Sequence, residues 1–434
     1  MPSFFASCLV LLATCVPGIE EIAGNVAQYE QLPPIHVSPS DWPWWRGPNG
    51  NGIAAPQNVP LSWSPTENIA WQTDIPGRGH SSPVTWGRRV FLTTADDENQ
   101  VQSILAYDRD TGKQLWETVA SRGHFMAKSH RHNSHASATS ACDGERLFSV
   151  FVHDGGVWVT ATDLNGHILW QTKAGDYDAI YGYGSSPAIW QSLVFVLGDN
   201  DQTGSFLAAL HRKTGQIVWR IARPNIDTYA TPVAAHLAGR DQLLVGGCGY
   251  LASYDPATGK ELWRCAGPTT ETTANTAAWS DDSVFVSGGY PKPYTLMAVK
   301  AGGSGDVTRT NSLWKSTSHM PYVPSPLYDA GLLYIVDDWG IASCLDAKSG
   351  KPVWVHRLDD DFSSSPVKCG DRIYAANEAG QVFVFQSGRS FKLLATNDLG
   401  DGIMATPAIC GDQILLRTTH KLFCIGKAAA DGAK

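Results

Sequence analysis

The sequence is short of basic clusters, of paired cysteines and of long apolar stretches, and each shortage removes a class of protein. Its 33 Lys and Arg are outnumbered by 41 Asp and Glu, for a net charge of −8, and no basic run occurs. Phosphate neutralisation needs clustered Lys and Arg, so nucleic acid is not an expected partner. No stretch beyond the first residues is long and apolar enough to cross a bilayer. Nine cysteines are present, yet none are adjacent and none form Cys-x-x-Cys, which excludes the usual zinc and haem-attachment spacings. Seven of them (Cys142, Cys248, Cys265, Cys344, Cys369, Cys410 and Cys424) are scattered; they read as small buried strand residues, and spacing assigns no disulfide. Two Gly-rich stretches also fall short of catalytic motifs. "GGSGD" from Gly302 is not a nucleophile elbow, and "GYGSSP" from Gly182 does not continue as a dinucleotide loop.

The opening "MPSFFASCLVLLATCVPG" has an apolar run from Phe4 to Val16, the length of a signal-peptide core, without a Lys or Arg before it. "LLATC", ending at Cys15, weakly resembles a lipoprotein box. Residues 1–20 are therefore expected to be a secretory or lipoprotein leader, with export to the periplasm or cell envelope and a possible lipid anchor at Cys15.

What the chain has in quantity is Trp, 16 of them, and Gly, 42, a composition suited to many short strands and tight turns. "LAYDRDTGKQLWE" from Leu105 returns as "ALHRKTGQIVWR", "SYDPATGKELWR" and "CLDAKSGKPVWV". Each reads as strand, turn and strand. In "DRDTGK", Asp108 can bond the backbone ahead of it, and Gly112 supplies the positive φ of the turn. A second marker, Ser or Thr before Pro or Ala, precedes a strand-like run at Ser82, Ser137, Ser186, Thr231, Thr276, Ser325, Ser365 and Thr406. The gaps run from 40 to 55 residues, enough for four short strands, and eight copies result.

Tryptophans fall between the markers at Trp116, Trp170, Trp219, Trp263, Trp314 and Trp354, while Ala395 takes the seventh place. The eighth copy stops at "KLFCIG" without a closing strand, and "IAWQTDI" puts Trp71 twelve residues before Pro83, as Trp314 stands before Pro326. The expected fold class is all-β: an eight-bladed β-propeller of four-stranded antiparallel blades, closed by the N-terminal strand. A lone blade cannot bury both faces, so each Trp is expected to dock on its neighbour. Burying about 200 Å² of indole at about 25 cal/mol/Å² sets an upper bound near 5 kcal/mol per blade. The expected divisions are a leader over 1–20, a Pro- and Trp-rich extension over 21–66 that packs on the ring, the propeller over 67–427 and a flexible tail over 428–434.

The repeats "YDRDTGKQLW", "YDPATGKELW" and "LDAKSGKPVW" resemble the tryptophan-docking repeats of the quinoprotein, or pyrroloquinoline quinone (PQQ)-like, propeller superfamily. It includes eight-bladed alcohol dehydrogenases and the non-enzymatic lipoprotein of the outer-membrane β-barrel assembly machine. "DWPWWRGPNGNG" and "KSHRHNSHAS" resemble exported bacterial PQQ-like repeat proteins of unassigned function. WD40 propellers match less well, because paired Gly-His and Trp-Asp markers do not recur. Quinone-dependent members hold the cofactor under a disulfide between adjacent cysteines, beside a calcium ion and an aspartate base. The sequence has no Cys-Cys pair, so no cofactor is expected, and PQQ with calcium is kept as the alternative.

In such propellers the residues just before the Ser/Thr-Pro marker lie at the channel entrance. The expected mouth residues are Arg78, His80, Asn133, His135, Tyr183, Asp227, Tyr229, Tyr322 and Phe362. That mixture suits a peptide, a glycan or a small polar ligand. The connection holding "RGHFMAKSHRHNSH" concentrates imidazoles, and His130, His132 and His135 are candidate metal ligands against a plain structural role. "WPWWRGP" (Trp42, Trp44, Trp45 and Arg46) is expected to lie across the ring and bury its indoles, with Arg46 stacked on one of them. The functional expectation is an exported, monomeric, non-enzymatic scaffold that binds an envelope protein or small polar ligand. A quinone-dependent dehydrogenase is the alternative, and a glycan-binding or sensor module the third.

Overall fold

The computed structural model describes residues 19–427, apart from 127–128, 268–271, 291 and 319. The leader with Cys15 and the tail over 428–434 lie outside the described residues. The fold is the expected all-β propeller of eight blades. Blade 1 is typical: Val84–Trp86, Arg89–Asp96, Val101–Asp108 and Gln114–Arg122 pair in sequence order, antiparallel throughout. The inner strand of each blade is two to five residues long, while the middle strands are buried on both faces. Those middle strands, such as "RVFLTTAD", therefore read as almost continuous apolar or small residues. No helix among the described residues is long and apolar enough to cross a membrane.

Closure is by the N-terminal strand. Ile69–Asp74 pairs antiparallel with Lys421–Ile425, giving blade 8 its fourth strand from the far end of the chain. The repeat tryptophans dock as expected. Trp71 donates its indole N–H to the carbonyl of Arg109 in blade 1 at 2.7 Å, and Trp116 does the same to Leu164 in blade 2 at 3.1 Å. Trp170, Trp219, Trp314 and Trp354 reach Arg212, Pro256, Ala347 and Gly388. The acceptor is always in the next blade's third-to-fourth-strand turn, the one that Asp108 organises in blade 1 by accepting from Asp110, Thr111 and the Thr111 hydroxyl. Gly112 sits flat against the Trp71 indole, where a Cβ would collide, and its φ is 70°. The glycine thus serves the turn and the docking together.

Two positions depart from the repeat. Trp263 is buried between blades 4 and 5, but its indole N–H donates within its own blade, to Gln242 Oε1 at 2.7 Å. The reason is that the corresponding turn of blade 5 is lengthened. Gly305–Asp306 runs parallel to Glu261–Ala266 as a fifth strand, so the usual carbonyl is not presented. At the seventh place, where Ala395 stands, the extension supplies Trp63. It stacks on Tyr374 at 6.4 Å, and its backbone N–H donates to Asn397 Oδ1. The seven later cysteines are all buried and free.

A further order runs around the inner edge. The backbone N–H of Ser82 donates to the Thr139 hydroxyl, Thr139 to Ser186, Ser186 to Thr231, and Thr231 to Thr276. Thr276 donates to Ser325, Ser325 to Ser365, Ser365 to Thr406, and Thr406 back to Ser82. Eight hydrogen bonds of 2.9 to 3.4 Å close a circle. This corrects the second marker: blade 2 contributes Thr139, not Ser137, to the ring. Ser137 instead bonds within its own loop, to Ser134 and Asn133.

Substitutions at Gly112 and Ser82 test these joints, with Gly370 as the control. Gly112→Ala combines a strained φ with a collision, so it should lose about 2–4 kcal/mol in denaturant unfolding. Gly370→Ala has a positive φ but open space, and should lose only about 1–2 kcal/mol. Equal losses would mean that the indole contact adds nothing. Ser82→Ala leaves the buried Thr406 N–H without its acceptor and should cost about 1–3 kcal/mol, with Ser82→Thr restoring most of it.

Candidate functional site

Each blade has a residue three positions before the one that follows its ring hydroxyl. With blade 2 counted from Thr139, those residues are His80, Ser137, Gly184, Tyr229, Ala274, Val323, Ser363 and Met404, and all eight line one cavity of about 540 Å³. Seven of the eight ring residues, all but Thr276, line it as well. The volume is within the range of small-ligand sites.

Of the expected mouth residues, His80, Asn133, Tyr229, Tyr322 and Phe362 line this cavity. Four do not. Tyr183 is buried, donating its hydroxyl to the Leu197 carbonyl. Asp227 is buried and accepts from the Tyr229 hydroxyl at 3.2 Å. Arg78 is exposed on the rim and donates to the Arg131 carbonyl. His135 is set aside by the two-residue register error in blade 2; it packs on Phe125, ring centroids 4.5 Å apart. Of the metal candidates, His130 and His132 reach the cavity, 5.4 Å apart, and His135 does not. Among the described residues no three His, Cys, Asp or Glu side chains converge as a metal set.

Other lining residues were missed in the sequence. Asp338 and Trp339 in "VDDWG" and Glu378 in "ANEAG" occupy matching second-to-third-strand turns of blades 6 and 7, and both turns rise into the mouth. Aligning those two turns would have found them. Asp338 clamps the neighbouring loop by accepting from the Tyr322 and Val323 amides at 2.6 and 3.0 Å. Glu378 accepts from the Ser363 hydroxyl at 2.6 Å, and His132 Nδ1 lies 3.7 Å from its other oxygen. Tyr181, Tyr290 and Trp339 expose aromatic surface there, at 47%, 57% and 43%. Tyr294 stacks beneath Trp339, nearly parallel at 5.5 Å, and holds that ring in place.

Burial controls the titrating groups. It pushes Asp338 up to about 6 against the opposing pull of the two amides, and Asp227 likewise to about 6. Burial, with Arg417 and Arg78 nearby, brings His80 down to about 3, so its imidazole is neutral across the physiological range. His130 is also held below the ordinary imidazole value, by burial first and His132 second.

The cavity has a back wall. "WPWWRGP" lies across the ring, but of its three indoles only Trp42 is buried, while Trp44 and Trp45 face the cavities and stay partly exposed. Trp42 pairs with Thr85 in blade 1, the Pro43 carbonyl accepts from Cys142 in blade 2, and Arg46 Nη2 donates to the Pro326 carbonyl at 2.7 Å. Ile53–Ala54 then joins the inner strand of blade 7 in parallel. Arg46 is buried and bonds backbone carbonyls rather than stacking on an indole. Trp45 donates to the Thr276 hydroxyl and lines both this cavity and a second one of about 440 Å³ bounded by Trp44, Pro48 and blades 3 to 5. Its indole is shared by the two cavities.

The comparisons with known proteins follow this geometry. The family model described as outer membrane protein assembly factor BamB matches residues 61–237, 100–356 and 303–390, more than half of the sequence. The chain belongs to this family. The BamB from Moraxella catarrhalis superposes with a TM-score of 0.55 at 12% identity, covering 84% of this chain and 98% of that one. A quinohemoprotein alcohol dehydrogenase from Pseudomonas putida HK5 gives 0.62 at 10% identity, covering 92% and 81%. At those identities both show the fold alone. Subunit 1 of methanol dehydrogenase from Methylobacterium organophilum is 26% identical over 141 residues, 28% of this BamB-family chain and 22% of the enzyme. The chain thus matches under a quarter of that enzyme's length.

Because quinoproteins are among the relatives, the mouth can be tested against PQQ and calcium. The quinone carries three carboxylates and calls for cationic partners. The described lining residues include Asp338, Asp361 and Glu378 but no Lys or Arg. Calcium takes six to eight oxygens, with carboxylates prominent among them, and no three His, Cys, Asp or Glu side chains converge among the described residues. The described cysteines are buried and none adjoin. The residues present do not fit the group. The charge reading itself is checkable: carboxyl carbon-13 titration should show two aspartates with midpoints near 6, and Asp338→Asn should remove one of them. Folding raises both values, so their contribution to stability is complete below about pH 4 and lost as pH rises through about 6.

Proposed function

We propose that the chain is a non-enzymatic binding protein of the cell envelope, whose partner seats at the channel mouth. One observation carries this reading: a cavity of about 540 Å³ lies at the channel mouth, with Trp45 in its lining and the exposed Tyr181, Tyr290 and Trp339 at its rim. A rim of rigid aromatics around a recess is the anatomy of a binding hot spot. Membership of the BamB family supports an envelope protein as the partner, and the apolar opening of the sequence supports export.

The rival is a quinone-dependent dehydrogenase, favoured by the local similarity to methanol dehydrogenase. Reconstitution with PQQ and calcium, then assay on alcohols and aldoses with an artificial electron acceptor, should give no turnover. Turnover would overthrow the binding reading. A photo-crosslinking residue at Tyr290 or Trp339 should capture one envelope protein, whereas the same probe at Leu115 or Val355, exposed on the outer strands, should not. Equal capture from the outer strands would move the partner away from the mouth.

A further inference from the structure

The described lining of the mouth is chemically one-sided. Three carboxylates reach it, Asp338, Asp361 and Glu378, together with seven aromatic side chains, and neither a lysine nor an arginine does. The imidazole of His80 stays neutral, and its Nε2 is buried without a hydrogen-bond partner. Arg78 and Arg131 remain outside the lining. Low-dielectric walls strengthen the field of the carboxylates, and exposed π faces attract cations while rejecting anions.

The protein demonstrates the attraction with its own side chain. Lys292 places its ammonium 4.8 Å from the Trp339 ring centroid and 5.6 Å from that of Tyr294. No lysine or arginine pairs with these carboxylates among the described contacts, and the one imidazole contact is His132 Nδ1, 3.7 Å from Glu378. Asp338 is satisfied by two amides and Glu378 by a hydroxyl, so each keeps its charge unneutralised by Lys or Arg among the described contacts. A neutral sugar would use the aromatic faces and leave those charges uncompensated. A positively charged amine uses both.

We infer that the mouth takes an organic ammonium group, presented on a free polyamine or on a lysine side chain. The inference rests on the reading of the mouth as a binding site and specifies its ligand. It is tested by calorimetric titration of the full chain with four probes: spermidine, a tetrapeptide with a central lysine, the same peptide with that lysine acetylated, and chitotetraose. Spermidine or the lysine peptide should bind, and which one does tells free amine from protein side chain. Acetylation should weaken binding at least tenfold, and raising salt from 50 to 500 mM should weaken it severalfold. Asp361→Asn and Glu378→Gln, both nearly isosteric, should each lower affinity by about three- to tenfold with unfolding curves unchanged. Equal affinity for the acetylated peptide, or binding of chitotetraose alone, would overturn the ammonium assignment and leave the mouth as a site. Absence of spermidine and lysine-peptide binding at 10 mM would overturn it as well. Turnover with PQQ would instead defeat the non-enzymatic reading, a separate outcome.

Discussion

The inner edge of each blade has an amide that no strand can satisfy. Strand pairing ends there, and the channel wall offers little water to replace it. Ser82, Thr139, Ser186, Thr231, Thr276, Ser325, Ser365 and Thr406 solve the problem in common, each N–H using the next blade's hydroxyl. The solution exists only for a closed circle. An open arc would leave one amide without an acceptor and one blade without its fourth strand. The pairing of Ile69–Asp74 with Lys421–Ile425 is therefore a condition for the whole inner ring. At the outer edge the indoles perform the corresponding task, filling the gap between blades and donating to a fixed carbonyl in the next turn.

Once the circle is fixed at both radii, the segments between its joints are free to vary. The side chains just above the ring hydroxyls lie outside the hydroxyl circle and range from Gly184 and Ala274 to Tyr229 and His80, although the backbone N–H groups of His80 and Tyr229 still donate to Ala136 and Thr273 of the next blade. The second-to-third-strand turns are equally unconstrained at their tips, which is where Asp338, Trp339 and Glu378 appear. Function in such a scaffold accumulates where packing places no demand. The extension takes part in the same division. Trp63 fills the blade gap that lacks a repeat tryptophan, and Trp45 lines the mouth, so one segment serves both stability and the site.

How much was legible follows the same line. The blade number, the closing strand and six of the seven repeat tryptophans were readable, because docking demands the same residue in the same turn each time. Trp263 kept its burial but not its partner, since the lengthened turn of blade 5 changes what lies opposite it. The blade 2 marker misled because Ser137-Ala138 imitates the motif two residues early, in a loop rich in Ser and His. Only the ring hydrogen bonds with Ser82 and Ser186 distinguish Thr139, and contacts between residues 57 and 47 apart leave no local trace. That slip placed His135 at the mouth and omitted Ser137. Asp338 and Glu378 were missed for a different reason: their turns look like ordinary Asx turns, and nothing in their composition says which end of the blade they face.

The electrostatics of the mouth follow from geometry rather than from overall charge. A chain with a net charge of −8 has acidic groups to spare on its surface, and most of them are screened by water and salt. Asp338, partly buried at the mouth, is screened less. Burial raises Asp338 to about 6 and yet two amides hold it in position, so the carboxylate is ionised at neutral pH at a cost that the surrounding fold sustains. A protein could relieve that cost with a nearby arginine, as Arg223 does for Asp199 in the interior of blade 3 at 2.8 Å. No such arginine is supplied among the described residues of the mouth lining. Asp338 is thus held by amide dipoles alone, with no cationic side chain of the described lining to share its charge.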